Sequence, residues 1–415
     1  MSYVPRLVDT RLTELLTTFP AVLVLGPRAV GKTTTARRLA ATVVELDDPA
    51  QAAQFHADPT AALDATLRRT DGPLLLDEWQ EVPEVLAAIK RAVDRGAQPG
   101  SFVLTGSVRA LLTSASWPGT GRIITIDMHP MTVLEQYACA PPQTEFVSRL
   151  MAGDLATIAL PTTMPDLAGY VDLAILGGFP PVLGILGVAR TVWLDSYVEQ
   201  LVLRDVPELG EIRDPAALRR LLYALTESSG RLTADTALAA ATDMNVKTVR
   251  RQERLLQDLR IISSLPAWHT NRLSRLIKQR KRYAIDTGLA TTLLGTDSAA
   301  VLANGDLLGR ILETFVIAQL IPLLGMTARR IRTYHLRQHD GRHEIDVLLE
   351  GPNGRIAGIE IKASASPARA DARHLMWLRD ELPELFTAGI VLHTGKVSYS
   401  LDRDIMAIPI AALWG

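Results

Sequence analysis

The chain has 415 residues, of which 47% are hydrophobic, and a formal net charge of −1. This is a soluble, globular composition with room for about two to four domains. It excludes a partner held by global charge alone, so any nucleic-acid surface has to be local. The single cysteine, Cys139, excludes an internal disulfide and leads us to expect a cytoplasmic protein. The N-terminus has no apolar signal core. The nearest approach to a membrane span, Val171 to Ala189, is interrupted by Asp172, Gly177-Gly178 and Pro180-Pro181, so no membrane partner is expected.

In chain order, Ala21 to Leu25 predicts a buried parallel strand. Gly26-Pro27-Arg28-Ala29-Val30-Gly31-Lys32-Thr33 then fits the phosphate-binding loop G-x-x-x-x-G-K-[ST] at every fixed position, and Thr34 to Ala41 predicts a helix. Strand, glycine loop and helix are what triphosphate binding needs. Loop N–H groups surround the phosphates and the helix N-terminus adds its positive end. Lys32 would reach the β/γ-phosphates, Thr33 would hold Mg²⁺, and Thr34 completes the nucleotide-binding set. Thr42 to Leu46 is a second strand. Leu74-Leu75-Leu76-Asp77-Glu78 is a short apolar strand ending in two acids, the Walker B pattern. Asp77 would serve Mg²⁺, and Glu78 would polarise the attacking water. Ser101 to Ser107 is the next strand, and its polar end would lie beside Asp77, with Thr105 or Ser107 sensing the γ-phosphate. Arg122, just before the β-rich run Ile123 to Ile126, is one candidate for an arginine finger and Arg204 is its rival. An ordinary surface arginine is the competing reading for each.

The order of phosphate loop, Leu-Asp-Glu, Leu-Thr-Gly-Ser, Gly-Arg and then His129-Pro130-Met131-Thr132-Val133-Leu134-Glu135 resembles the prokaryotic AAA-type ATPases that carry a C-terminal domain of unknown function. The resemblance continues through Gly177-Gly178-Phe179-Pro180, Tyr197, Arg204-Asp205 and Arg282 to Leu289, and covers nearly the whole chain. His129 and Met131-Thr132 depart from the Leu-Pro-Leu-Ser type of run. The resemblance implies a homo-oligomer, because such sites borrow an arginine from a neighbouring subunit.

A helical connector is expected over residues 166–228, after a nucleotide domain over 1–165. Residues 229–300 read as a winged helix. Thr236 to Ala241 is its first helix, Asp243-Met244-Asn245 the turn, and Val246 to Leu259 the second helix, with Val246, Val249, Leu256 and Leu259 facing the core. Lys247, Arg250, Arg251 and Arg254 fall on one face at i, i+3, i+4 and i+7. Asn271 to Arg282, which includes Arg275 and Lys278, reads as a basic wing. Between Lys247 and Arg282 there are eleven Lys/Arg against two acids, Glu253 and Asp258. A basic helix with a basic wing suits duplex phosphates.

Residues 301–415 read as helix, three strands, helix, strand, an order that resembles the PD-(D/E)xK nuclease fold. A hairpin centred near Asn353 would set Asp346 opposite Glu360 and Glu344 opposite Lys362, with all four on one face. Two close carboxylates offer oxygens to Mg²⁺ or Mn²⁺, and Lys362 would orient water or stabilise the charge on phosphorus. Glu313, the one acid in the apolar run Leu307 to Leu324, would point at the same place. A solvated hairpin with Glu344 paired to Lys362 is the competing reading. His335, His339 and His343 have metal-like spacing only if helical, and the segment reads as strand and loop.

The fold class is therefore α/β: a P-loop AAA-type domain, a helical connector with a winged helix, and a nuclease-like α/β domain. Two functions stand open. One is a Mg²⁺-dependent ATP hydrolase coupled to DNA remodelling, with or without cleavage. The other is an ATP-controlled switch that binds DNA or protein and uses a non-cleaving platform.

Overall fold

The structure is a computed structural model. It describes residues 3–106, 119–137, 144–205 (the side chains of 204 and 205 excepted), 214–271, 275, 279–327, 330–338 and 341–415.

Five strands form a parallel sheet in the order β2-β3-β4-β1-β5: β1 (Ala21–Leu25), β2 (Thr42–Glu45), β3 (Leu74–Asp77), β4 (Phe102–Thr105) and β5 (Ile123–Asp127). β1, β3 and β4 are buried at every position, which is why they read as unbroken apolar runs. Helices α1 (Leu7–Thr18) and α2 (Lys32–Arg37) contribute Leu12, Leu16 and Ala36 to one core. α3 (Pro49–Ala57), α4 (Pro59–Leu67) and α5 (Val85–Asp94) contribute Phe55, Leu63 and Ile89 to a second core, shared with Leu74 and Leu76. α2 begins at Lys32, two residues earlier than expected.

Beyond β5, α6 (Val133–Gln136) is closed by a capping box between Thr132 and Glu135. α7 (Phe146–Ala152) follows, then α8 (Leu167–Leu176) and α9 (Val188–Gln200). α10 (Pro215–Glu227), α11 (Asp235–Thr242) and α12 (Val246–Asp258) pack on one another. A two-stranded antiparallel ribbon, β6 (Ile262–Leu265) and β7 (Lys281–Ala284), completes that unit. α10, expected in the connector, packs with α11 and α12. Its buried stripe of Leu218, Leu221, Leu222 and Leu225 is what joins it to Leu238, Val249 and Leu256.

α13 (Thr287–Leu293), α14 (Ser298–Ala303) and α15 (Gly305–Gly325) lead into a six-stranded mixed sheet. Its order is β12-β13-β11-β10-β9-β8, with β8 (Arg332–Gln338), β9 (His343–Glu350), β10 (Ile356–Lys362), β11 (Phe386–His393), β12 (Tyr399–Asp402) and β13 (Ile405–Pro409). Strand alternation sends Val347, Leu349, Ile359 and Ile390 towards Phe315 and Leu320 of α15. It sends Leu348 and Val391 towards Leu375 and Leu378 of α16 (Arg373–Glu381), on the other face, and Ile345 joins them because the β8–β9 register shifts between Leu348 and Ile345. α15 is long and apolar enough to cross a membrane by length and composition, but here Leu312, Phe315, Val316 and Leu320 are buried against the sheet. Phe146, Val147, Leu150, Leu155 and Ile158 join the same core. Residues 144–165, expected in the nucleotide domain, thus pack against the C-terminal sheet.

Candidate functional site

The first site forms at the carboxyl ends of β1, β3 and β4, where open α/β sheets bind ligands. Gly26 turns the chain against β5: a Cβ there would sit 2.2 Å from the Met128 carbonyl oxygen. Gly31 adopts φ +95°, which a side chain would strain. Lys32 follows at the start of α2. Its Nζ donates to the carbonyls of Gly26 (3.2 Å) and Pro27 (2.9 Å), so it lies along the loop. Burial brings its pKa down to about 8, while Glu78 and Asp77 act the other way. Thr33 Oγ1 donates to Asp77 Oδ1 at 2.8 Å, and the Thr105 hydroxyl donates to the same oxygen. Glu78 sits in the left-handed region at φ 51°, a costly place for a non-glycine residue, and accepts a hydrogen bond from Gln80. The cleft in front of these groups measures about 570 Å³ and is lined by Arg28, Ala29, Gly31, Lys32, Thr33, Thr34 and Glu78, with Pro180 and Pro181 from the connector. Tyr197 donates to the Arg28 carbonyl at 3.4 Å and packs against Phe179, bringing the connector to the loop.

The structure thus brings Lys32, Thr33, Asp77, Glu78 and Thr105 together. The hydroxyl of Thr33 and the carboxylate of Asp77 are hard oxygen donors that fit Mg²⁺, which would neutralise phosphate charge there. Arg122 does not join them. It lies just before β5, at the opposite end of the sheet, and pairs with Asp94 at 2.9 Å. Ser107, Lys278 and the side chain of Arg204 lie outside the described residues.

A second cluster lies between the ribbon and the C-terminal sheet. β9 and β10 pair with Ile359 opposite Val347 and Ile356 opposite Glu350. The pairing ends at Ile359 and Val347, one residue short of Glu360 and Asp346. Asp346 Oδ2 accepts from the Ile361 N–H at 3.0 Å. Lys362 pairs with Glu360 at 3.2 Å, so the expected Glu344–Lys362 pair is replaced by a same-strand one. The centre of the cluster is a residue that sequence reasoning assigned to the wing. Lys281 Nζ lies 2.9 Å from Glu313, 3.1 Å from Asp346 and 3.5 Å from Glu344, with only 2% of its side chain exposed. Tyr283, two residues along β7 on the same face, donates to Glu313 at 2.7 Å. Burial and the charge of Asp346 push the Glu313 carboxyl up to about 7. Burial, with Asp346 again, holds Glu360 well above the usual carboxylate range, and its Oε1 is buried without a hydrogen-bond partner. Asp346 itself is held low by the cations Lys281 and Lys362, which outweigh its burial.

The donors are the right chemistry for Mg²⁺ or Mn²⁺, but an ammonium already fills their centre. Among the described residues no group of three His, Cys, Asp or Glu is arranged to hold a metal. All four residues of β7 are buried, so its cations meet buried acids.

The third region is basic. Lys247, Arg250, Arg251 and Arg254 are exposed along α12. Beside them, a cleft of about 600 Å³ is lined by Thr233, Thr236, Arg250, Arg254, Gln279 and Arg280. The expected basic wing is largely neutralised from within. Arg282 is buried against Glu253 at 3.0 Å and also pairs with Asp235. Arg275, expected to contact DNA, instead pairs with Glu350 at 2.8 Å and lies over the Trp268 and Tyr334 rings.

With this geometry in place, comparison with known proteins separates the chain into parts. Residues 18–137 match the AAA domain family. This supports an AAA-type P-loop ATPase. Residues 167–300 and 308–413 match two domains of unknown function, DUF8612 and DUF4143. The chain is 29% identical over 411 residues to Uncharacterized protein Rv2008c of Mycobacterium tuberculosis, covering 96% of this chain and 82% of the relative. It is equally similar to Uncharacterized protein Mb2031c of Mycobacterium bovis. A solved Thermotoga maritima RuvB variant aligns over 62% of this chain and 89% of its own at 18% identity, with a TM-score of 0.25. The Pyrococcus furiosus Hef helicase domain aligns over 95% of this chain and 90% of its own at 10% identity, with a TM-score of 0.18. Neither likeness is close enough to carry an argument.

Proposed function

We propose that this protein is a cytoplasmic, homo-oligomeric, Mg²⁺-dependent ATP hydrolase that couples its nucleotide state to a DNA-binding winged helix. The observation that carries the reading is the convergence of Lys32, Thr33, Asp77 and Glu78 at the ends of β1 and β3. In this reading Lys32 swings from the loop carbonyls to the β/γ-phosphates, Thr33 and Asp77 hold Mg²⁺, and Glu78 leaves Gln80 to polarise water. The unit from α10 to β7 is the winged helix. α12 is its recognition helix, with Lys247, Arg250, Arg251 and Arg254 meeting duplex phosphates. The finger arginine comes from a neighbouring subunit. The test is ATP turnover by the purified protein, with and without duplex DNA. The reading expects Mg²⁺-dependent hydrolysis that DNA alters; no affinity for ATP or a slow analogue would end it.

The C-terminal module is read as a nuclease-like platform that does not cut in this arrangement. The supporting observation is Lys281, whose ammonium takes up the carboxylate charge that a divalent cation would need. Linear, nicked and single-stranded DNA incubated with Mg²⁺ or Mn²⁺, with and without ATP, tests this. Cleavage that disappears in Asp346→Ala and Lys362→Ala would favour a cutting enzyme instead.

A further inference from the structure

We infer that Arg6 is a positioning residue for the phosphate loop, acting through the Val30–Gly31 peptide without touching nucleotide. This rests on the ATP-hydrolase reading above. Arg6 precedes α1 and lies far in sequence from the loop, yet its side chain is only 4% exposed. Its guanidinium donates to Glu135 at 2.9 Å, to the Val30 carbonyl at 2.6 Å and to the His129 carbonyl at 2.7 Å. Glu135 is itself immobilised. The oxygen that takes Arg6 also accepts from the Leu7 N–H at 2.8 Å, and the other accepts from the Thr132 N–H at 2.7 Å and the Thr132 hydroxyl at 3.0 Å.

The carbonyl of Val30 and the N–H of Gly31 belong to one planar trans unit and point in opposite directions. Fixing the Val30 oxygen towards Arg6 therefore turns the Gly31 N–H away from it. Gly31, Lys32 and Thr33 line the cleft, and Arg6 is not among the residues that line it. Gly31 has no side chain to hold the plane of this peptide, so the restraint has to come from outside the loop. A buried ion pair is weak evidence for stability by itself. A guanidinium spread over a carboxylate and two carbonyls instead sets relative position. Here it ties the loop to the segment after β5.

The test uses full-length Arg6→Lys and Arg6→Gln, each alone and Arg6→Gln combined with Glu135→Gln. Affinity for a slow ATP analogue with Mg²⁺, KM, kcat and melting temperature are measured. Arg6→Lys keeps the charge but cannot serve three acceptors at once. We expect it to melt near the wild-type temperature and bind the analogue about tenfold more weakly. KM should rise while kcat changes little, because Lys32, Asp77 and Glu78 are intact. In the Arg6→Gln background, Glu135→Gln should cost no further affinity, since the two act as a unit. Wild-type affinity in Arg6→Lys would overturn the inference, and this variant decides the matter should Arg6→Gln fail to fold. If the wild-type protein does not bind the analogue, the ATP-hydrolase reading falls first and the inference falls with it. If the wild type binds and Arg6→Lys binds equally well, only the inference falls.

Discussion

The Lys281 ammonium stands 3.1 Å from the Asp346 carboxylate, across 65 residues of sequence. One comes from the ribbon that closes the helical unit, the other from the C-terminal sheet. Glu313, on the helix between them, completes the contact. Two modules are thus joined at a charge cluster with a proton balance of its own.

Removing that cation has a definite expected outcome. Lys281→Met leaves Glu313 and Asp346 buried without their counter-ion, and should cost about 3–5 kcal/mol of stability. The freed carboxylates then become able to take a divalent ion. Thermal melting with and without Mn²⁺ checks both points: the variant should gain more from Mn²⁺ than the wild type does. A variant that melts like the wild type and ignores Mn²⁺ would show that the cluster is not held by Lys281.

Glu313 supplies a pH dependence. Its folded value, about 7, lies above the ordinary 4.5, so the folded state holds this proton more tightly than the unfolded one. The associated stability is fully present below the ordinary value and is lost as pH rises through about 7. Melting temperature from about pH 5 to about pH 8 should therefore fall more steeply for the wild type than for Glu313→Gln. Parallel curves would show that Glu313 does not titrate in this window.

At the nucleotide site, Lys32→Ala should abolish binding of ATP, while Glu78→Gln should bind ATP without turning it over. Calorimetry and phosphate release separate the two. Wild-type turnover by Glu78→Gln would remove Glu78 from the role of activating water.

The basic segment divides into two kinds of arginine. Arg254→Ala on exposed α12 should leave the melting temperature unchanged, weaken duplex binding, and lower the slope of log affinity against log salt by about 1. Arg282→Ala should instead destabilise the protein by about 1–3 kcal/mol, because it leaves the fully buried Glu253 with Arg280 as its remaining cation. Equal melting temperatures for the two variants would contradict that division.

How far the sequence could be read follows from the range of each interaction. The loop and β1 were legible because a fixed glycine spacing and a continuous apolar run are local. The register from Ile356–Glu350 to Ile359–Val347 was legible because the turn at Asn353 sets it. Lys281 and Arg282 were not. Counting charge between Lys247 and Arg282 gives a sum but no direction, and adjacent strand residues face opposite ways, one to Glu313 and the other to Glu253. Arg6 and Glu135, 129 residues apart, carry no local signal at all. The same holds for α7, whose apolar face does not say which sheet will cover it.

Gln319 accepts a hydrogen bond from the Val133 N–H at 2.7 Å. It lies on α15 with Glu313, less than two turns away, about 9 Å along the axis. α15 is therefore a stiff rod with one point resting on the first module, next to the capping box that includes Glu135, and another resting on Lys281. A tilt of the segment after β5 cannot be absorbed by a loop before it reaches the charged cluster; the rod delivers it as displacement.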